Sequence, residues 1–314
     1  MEQKHFNTRA YNRIEVLPFG VIRKSSESDR LSDEISYYDS IPEDMIHFFP
    51  RKLGSSVSDK NYSLTLEYYP FKTLGEYMIS NEQVDWMKVF SHLNGALAHM
   101  ADHSRQNSSV GKNAVAMYVN KTKNEYENLK KSFYDSELFT CKSIVLNGFE
   151  YKNFETIWDR VKSVIETHLV NYSETMIHGD MCFSNILYHP SVGPRFIDMR
   201  GSFGDRGIYG DKLYDYAKLL HSVEGGYELF INDKFTATKM NRGIYEYWLY
   251  VNKNKEQALS AYLKTFENEN IHLIRLVEGL IFVGMCARHY DSKERQLIMY
   301  LTGVKNLNEA LENI

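Results

Sequence analysis

Cysteine is scarce in this 314-residue chain. Cys141, Cys182 and Cys286 are far apart and form no CxxC pair. That spacing argues against a disulfide framework and a cysteine-rich zinc site, and it fits a reducing cytosol. Long apolar runs are missing too. No stretch reaches the roughly 18 residues that a membrane-spanning helix needs. The most apolar segment, Leu273–Met285, carries Arg275 and Glu278 and reads as a buried amphipathic helix. Met1 to Phe19 is polar and lacks the apolar centre of a signal peptide. Charge of one sign is nowhere concentrated: 37 Lys and Arg face 41 Asp and Glu, for a net charge of −4. Nucleic acid therefore has no electrostatic footprint to bind. The expectation is a cytoplasmic protein with neither membrane nor nucleic acid as a partner. No GxGxxG follows a strand pattern, which argues against a dinucleotide enzyme, and no GxSxG elbow occurs. Gln106–Lys112 ends in Gly-Lys, but Gln106 stands where a P-loop needs glycine and Asn113 where it needs Ser or Thr.

What is present is ordinary globular material with an aromatic excess. Hydrophobic residues make up 43% and charged residues 25%, enough for a sizeable core. Aromatics reach 14%, with 23 Tyr, which suits pocket walls as well as core. At roughly 100–200 residues per domain, two lobes fit the length. From Asn12 to Tyr69 the pattern is short and strand-like. Ile14–Leu17 and Gly20–Arg23 flank a Pro18-Phe19-Gly20 turn, and Phe48–Leu53 and Ser63–Tyr68 read as further strands. Between them Leu31, Ile35 and Tyr38 are spaced for a helix that stops before Pro42. After Thr73 helices dominate: Val84–His103, Val115–Ser132, Phe154–Val170, Asp211–Ser222, Lys234–Val251, Lys255–Glu267, Ile271–Tyr290 and Glu294–Leu301. A β-rich insert, Thr175–Ile177, Ile186–Tyr188 and Arg195–Ile197, interrupts them. The expected fold class is α+β and bilobal, with a small β-rich N-lobe (1–69) and a larger, mostly helical C-lobe (70–314).

The chemistry concentrates in His178-Gly179-Asp180-Met181-Cys182-Phe183-Ser184-Asn185, followed by Phe196-Ile197-Asp198. Asp180 lies in a glycine-containing turn, Asn185 starts a strand, and Asp198 ends the opposing strand of a hairpin turning at His189–Pro194. Oxygen ligands thus gather at one end of a hairpin. Mg²⁺ takes oxygen ligands, usually one or two carboxylates plus substrate phosphates. Kinases divide the work this way: one Asp for the acceptor hydroxyl, an Asn five residues on, and a separate Asp for the metal. Taken singly, these residues are equally at home as turn and cap residues. The ordered set between apolar strands favours chemistry. Upstream, Lys24 ends a strand and Glu34 lies in the next helix, the pairing that positions ATP phosphates in kinases. Arg23 competes for that role, since one residue of register flips the strand face.

These motifs resemble the signature of the aminoglycoside phosphotransferase and choline kinase superfamily, which has a protein-kinase-like fold. Gly210-Asp211 through Tyr214-Asp215-Tyr216-Ala217 resembles the helix that follows in that superfamily. Cys182-Phe183-Ser184-Asn185-Ile186-Leu187, Ile197-Asp198-Met199-Arg200-Gly201, Asp215-Tyr216-Ala217-Lys218-Leu219 and His289-Tyr290-Asp291 are closest to phosphotransferase-family proteins of bacterial capsule and surface-polysaccharide synthesis. The resemblance runs from about Arg13 to Gly303. It implies an ATP- and Mg²⁺-dependent kinase acting on a small-molecule hydroxyl acceptor, with a sugar or polyol for surface polysaccharide as the finer expectation. It gives Asp180 the acceptor proton, Asn185 and Asp198 the Mg²⁺, and Lys24, held by Glu34, the phosphates. His178 braces the loop, and Glu67-Tyr68-Tyr69 offer backbone groups to adenine. Two departures stand out. No Gly-rich loop precedes Lys24, where the chain has Asn7-Thr8-Arg9-Ala10-Tyr11-Asn12. Met199-Arg200-Gly201 follows Asp198, so Arg200 is a candidate either for a phosphate or for a salt bridge to Asp205 or Asp211. Asp211 reads as a helix cap, Asp215 as a buttress or a substrate contact, and Arg288 and His289 as acceptor-side candidates. The rivals are a choline or amino-alcohol kinase, an aminoglycoside kinase, and a non-catalytic nucleotide-binding scaffold. His99 and His103 share a helical face, but no third zinc ligand accompanies them.

Overall fold

A computed structural model describes residues 12–58, 61–106, 109–170 and 173–314. The segment Asn7 to Tyr11, which precedes the first strand, lies outside them. The smaller lobe is a four-stranded antiparallel sheet in the order β1-β2-β4-β3, with β1 Asn12–Leu17, β2 Val21–Ser26, β3 Lys52–Ser58 and β4 Asn61–Glu67. The β1–β2 turn puts Phe19 and Gly20 at φ +64° and +70°, so two successive left-handed residues reverse the chain. The helix α1, Arg30–Ser40, packs on the sheet through Leu31, Ile35 and Tyr38. Strand alternation decides which cation faces inward. Arg23 is exposed, whereas Lys24, opposite Leu64 of β4, turns toward α1.

The larger lobe is mainly helical. The helices Ile271–Val283 and Lys293–Asn313 pack on each other, and Lys212–Val223 lies against the first. Trp86–Asp102, capped by the Asp85 carboxylate, packs against Lys253–Thr265. Trp86 stacks on Phe183 with centroids 5.5 Å apart, which ties this core to the Asp180–Asn185 loop. No helix among the described residues is long and apolar enough to cross a membrane.

Several expected elements are displaced or replaced. Lys234–Val251 is not a helix but a hairpin, Phe235–Asn241 and Ile244–Leu249, with Gly243 at φ +69° in its turn. Tyr245, Tyr247 and Leu249 alternate inward with exposed Glu246 and Trp248, so the true period is two, not 3.6. The region expected as a strand at Phe48–Leu53 begins as a 3₁₀ turn, Glu43–Phe48, and the strand starts only at Lys52. A second hairpin, Ser143–Leu146 with Phe149–Lys152, turns at Asn147-Gly148, at φ +49° and +86°. The expected Ile271–Tyr290 helix ends at Val283 and resumes as a 3₁₀ turn, Cys286–His289. The last helix runs to Asn313, well past Leu301.

Candidate active site

The hairpin Ile186–His189 and Gly193–Phe196 pairs Ile186 with Phe196, so the residues just outside it emerge side by side. The Ile197 amide donates to the Asn185 carbonyl at 3.1 Å, which holds Asn185 and Asp198 at one end. Asp198 has φ +60°, a left-handed conformation that costs a non-glycine residue about 1–3 kcal/mol and clusters at functional sites.

The loop before the hairpin is latched from both sides. Gly179 sits at φ +77°, and a Cβ there would lie 2.8 Å from that of Arg200. Asp215, on the Lys212–Val223 helix, accepts the His178 and Gly179 amides at 2.6 and 2.8 Å. Burial pushes its carboxyl up to about 7, while the two amides pull the other way. Burial lowers His178 to about 4, so its ring is neutral. Its Nε2 lies 3.0 Å from the Ile197 carbonyl, and its Nδ1 accepts the Asp180 amide at 3.1 Å. A neutral ring must then carry its proton on Nε2. The expected brace is thus visible atom by atom, and Asp215 buttresses the loop.

Asp180 and Asn185 are joined within this loop. The Asn185 Nδ2 donates to the Asp180 carbonyl at 2.8 Å, which directs Oδ1 the other way. The Asp180 carboxylate meets the Lys218 ammonium at 2.8 Å, where Lys218 is 7% exposed and Asp180 39%. Burial works to raise the Asp180 carboxyl, but Lys218 overrides it and holds the group well below the usual carboxylate range. Lys218 is held above its ordinary value in return: burial opposes its charge and Asp180 more than restores it. Its partner lies in a different element, so the sequence offered no signal for this contact beyond one position in a helix.

Across from the loop, Lys24 bridges the lobes. Its Nζ lies 2.6 Å from Glu34 Oε2 and 2.7 Å from Asp198 Oδ1. Burial opposes the Lys24 charge, yet Asp198 and Glu34 together keep it above its usual value. Glu34 is pushed up to about 7, first by burial and then by Asp198, against the pull of Lys24.

Other expected site residues take different places. The Glu67 and Tyr68 amides are spent on the Arg51 and Gly20 carbonyls, at 2.9 and 2.8 Å, and the Tyr69 hydroxyl donates to Glu67 at 3.2 Å. Arg200 reaches neither Asp205 nor Asp211; its Nε donates to the Ser202 carbonyl at 3.0 Å. Asp211 caps its helix through the Leu213 amide and accepts the Tyr118 hydroxyl at 2.7 Å. Arg288 is paired with Glu125 at 2.8 Å, and the His289 ring lies edge-on to Tyr227. His103 bonds Asp44 while His99 packs on Phe48, so the two do not share a ligand.

The donor set suits a hard cation. Asn185 Oδ1 and the half-exposed Asp198 carboxylate are oxygen donors, and no group of three or more His, Cys, Asp and Glu is placed to hold a metal among the described residues. A site so sparing in protein ligands fits Mg²⁺, which keeps waters and takes substrate phosphates, better than zinc or calcium.

No protein-family model matches the chain, and no curated protein sequence matches it. Solved structures do. Aminoglycoside phosphotransferase APH(4)-Ia superposes with a TM-score of 0.59 at 10% identity, covering 98% of this chain and 92% of that one. A thermostable mutant of it, in ternary complex with AMP-PNP and hygromycin B, gives 0.59 at 11% identity with the same coverage. ADP-bound APH(2'')-Ib gives 0.52 at 13% identity, covering 98% and 90%. At such identities the likeness speaks for architecture. The chain therefore has the bilobal, protein-kinase-like fold of the aminoglycoside phosphotransferases.

Proposed function

We propose that this protein is an ATP- and Mg²⁺-dependent phosphotransferase acting on the hydroxyl of a small molecule. The observation that carries the reading is the Lys24 bridge, which links Glu34 of α1 to Asp198 beside the Asp180–Asn185 loop. A cation fixed between these carboxylates suits nucleotide phosphates, with Asn185 and Asp198 supplying oxygens to the metal. Arg200 stands next to Asp180 as a donor for an anionic group of either substrate. With the Glu67 and Tyr68 amides already bonded, the backbone donor offered to adenine narrows to Tyr69. Mg²⁺, when bound, offsets charge on the phosphates.

In the proposed transfer the acceptor oxygen forms a bond to the γ-phosphorus and the bond to the β,γ-bridging oxygen breaks. ADP leaves with that electron pair, and the acceptor's proton passes toward Asp180. A carboxylate held so far toward its ionised form is a weak base, so Asp180 serves chiefly to orient the hydroxyl and takes the proton late. Positioning and charge stabilisation supply the rate. A sugar or polyol destined for surface polysaccharide is the acceptor class we favour. The structural neighbour's complex with hygromycin B supports a hydroxylated, sugar-like acceptor in general.

Asp180→Asn tests the assignment. Magnesium-dependent ATP turnover should fall by about 10²-fold or more while AMP-PNP affinity holds. Near-normal turnover in that variant would sink the reading. AMP-PNP binding without turnover in the unaltered protein, across a panel of hydroxylated acceptors, would favour the non-catalytic scaffold.

A further inference from the structure

The surroundings of Asp180 are cationic. Asp211, Tyr214, Asp215 and Lys218 share one face of the Lys212–Val223 helix, and that face turns to the catalytic loop. Lys218 is neutralised by Asp180. One turn earlier, the Tyr214 hydroxyl lies 3.4 Å from the ammonium of Lys121, the first residue after a π-helical turn, Val115–Asn120. Among the described residues, no carboxylate lies within ion-pair distance of Lys121 or of Arg200. The Arg200 side chain lies against Gly179, immediately before Asp180. Arg288 joins the group but has Glu125 as its partner.

These cations act on one another. Burial lowers the Lys121 ammonium to about 8, and Arg200, Arg288 and Lys218 press it down further against the pull of Tyr214. The Tyr214 phenol falls below its ordinary value despite its burial, because Lys121, Arg200 and Lys218 favour its anion. A half-buried cation with no carboxylate partner favours an anionic group that reaches it.

We propose that the acceptor is an anion, whose phosphate or carboxylate is received by Lys121 and Arg200 while its hydroxyl is presented to Asp180. This rests on the phosphotransfer reading and narrows its substrate class. A polycationic aminoglycoside would meet like charges here, which disfavours it. Phosphate and carboxylate share the chemistry, and the guanidinium fork of Arg200 accommodates either.

The test uses the full chain saturated with AMP-PNP and Mg²⁺, so that Lys24 and the metal ligands are occupied. Thermal shift is then titrated with inorganic phosphate, glucose 6-phosphate, glucuronate, glucose and glucosamine. An anionic sugar should stabilise at a concentration at least about tenfold below that of glucose, a factor worth about 1.4 kcal/mol. Whether glucose 6-phosphate or glucuronate does so identifies the anion. Lys121→Met should abolish the preference, Lys121→Arg should keep it, and the AMP-PNP midpoint should not move in either. Equal response to glucose or glucosamine, no response to any anion, or a preference that survives Lys121→Met each overturns the proposal. Failure of the phosphotransfer reading shows separately, as the absence of any AMP-PNP shift in Mg²⁺ or as AMP-PNP binding with no ATP turnover on any acceptor of the panel.

Discussion

Lys218→Met is the sharpest probe of the catalytic loop. At 2.8 Å, the Lys218–Asp180 pair attracts by about 6 kcal/mol at an effective dielectric of about 20. That gross figure is not the effect of mutation. Breaking a fully buried pair costs about 3–5 kcal/mol and an exposed one under about 1. Lys218 is buried but Asp180 is 39% exposed, so solvent screens the carboxylate once the ammonium is gone. An intermediate cost of about 2 kcal/mol follows, which corresponds to roughly 30-fold if it falls on transition-state positioning. Intrinsic ATP hydrolysis, read as ADP release, should drop by about that factor, with the AMP-PNP dissociation constant unchanged. The pH profile should move as well. Lys218 holds the Asp180 carboxyl below its ordinary range, so the stabilisation it gives is present above that range and lost only at strongly acidic pH. Without Lys218 the carboxyl rises to at least the usual value of about 4, and the acidic limb of kcat shifts upward with it. A variant within threefold of the parent rate, with an unmoved acidic limb, would refute the idea that this lysine poises Asp180.

Other expectations bear on different parts of the molecule. Lys24→Met should weaken AMP-PNP binding in Mg²⁺ by about 10-fold or more in a titration, because Glu34 and Asp198 lose their shared cation. Glu278 is fully buried, both carboxyl oxygens lack partners among the described residues, and burial pushes its pKa well above the usual value. It is protonated when folded and ionises near pH 4 when unfolded, so the unfolded state loses the proton first and stability falls as pH rises above about 4. Glu278→Gln should therefore raise Tm at pH 8 and change it much less at pH 4. Gly201 combines φ +69° with close approach to the Asp33 carbonyl of α1. Gly201→Ala should cost about 3 kcal/mol in urea unfolding by adding backbone strain to a clash.

The proposed catalytic set could be picked out because it is local. Asp180, Asn185 and Asp198 fall within one loop and one hairpin, and apolar strands frame them, so spacing alone announced their convergence. Lys24 and Glu34 were readable for the same reason: strand alternation and helix periodicity each point a side chain, and the two meet between β2 and α1. Lys218 and Lys121 were not, because each acquires meaning only from a partner on another element. The Phe235–Leu249 hairpin was misread because Tyr245, Trp248 and Leu249 also satisfy helical spacing. The pairing of Ile244–Leu249 with Phe235–Asn241 and with the Ser143–Leu146 strand decides between the periods. Arg200 failed in both anticipated salt bridges since the chain reverses at Gly201, φ +69°, and brings the Ser202 carbonyl to its Nε instead.

The buried Asp215 carboxylate, clasped by two amides of the catalytic loop, makes that loop and the Lys212–Val223 helix a single mechanical part. The same helix bears Tyr214 and Lys218, which lie beside Lys121 and Asp180. Under the proposed function, changes that retune the acceptor along this face will therefore disturb the transfer step as well. Diversification of substrate range has a freer route through the π-helical turn before Lys121, which reaches the same space from a separate support.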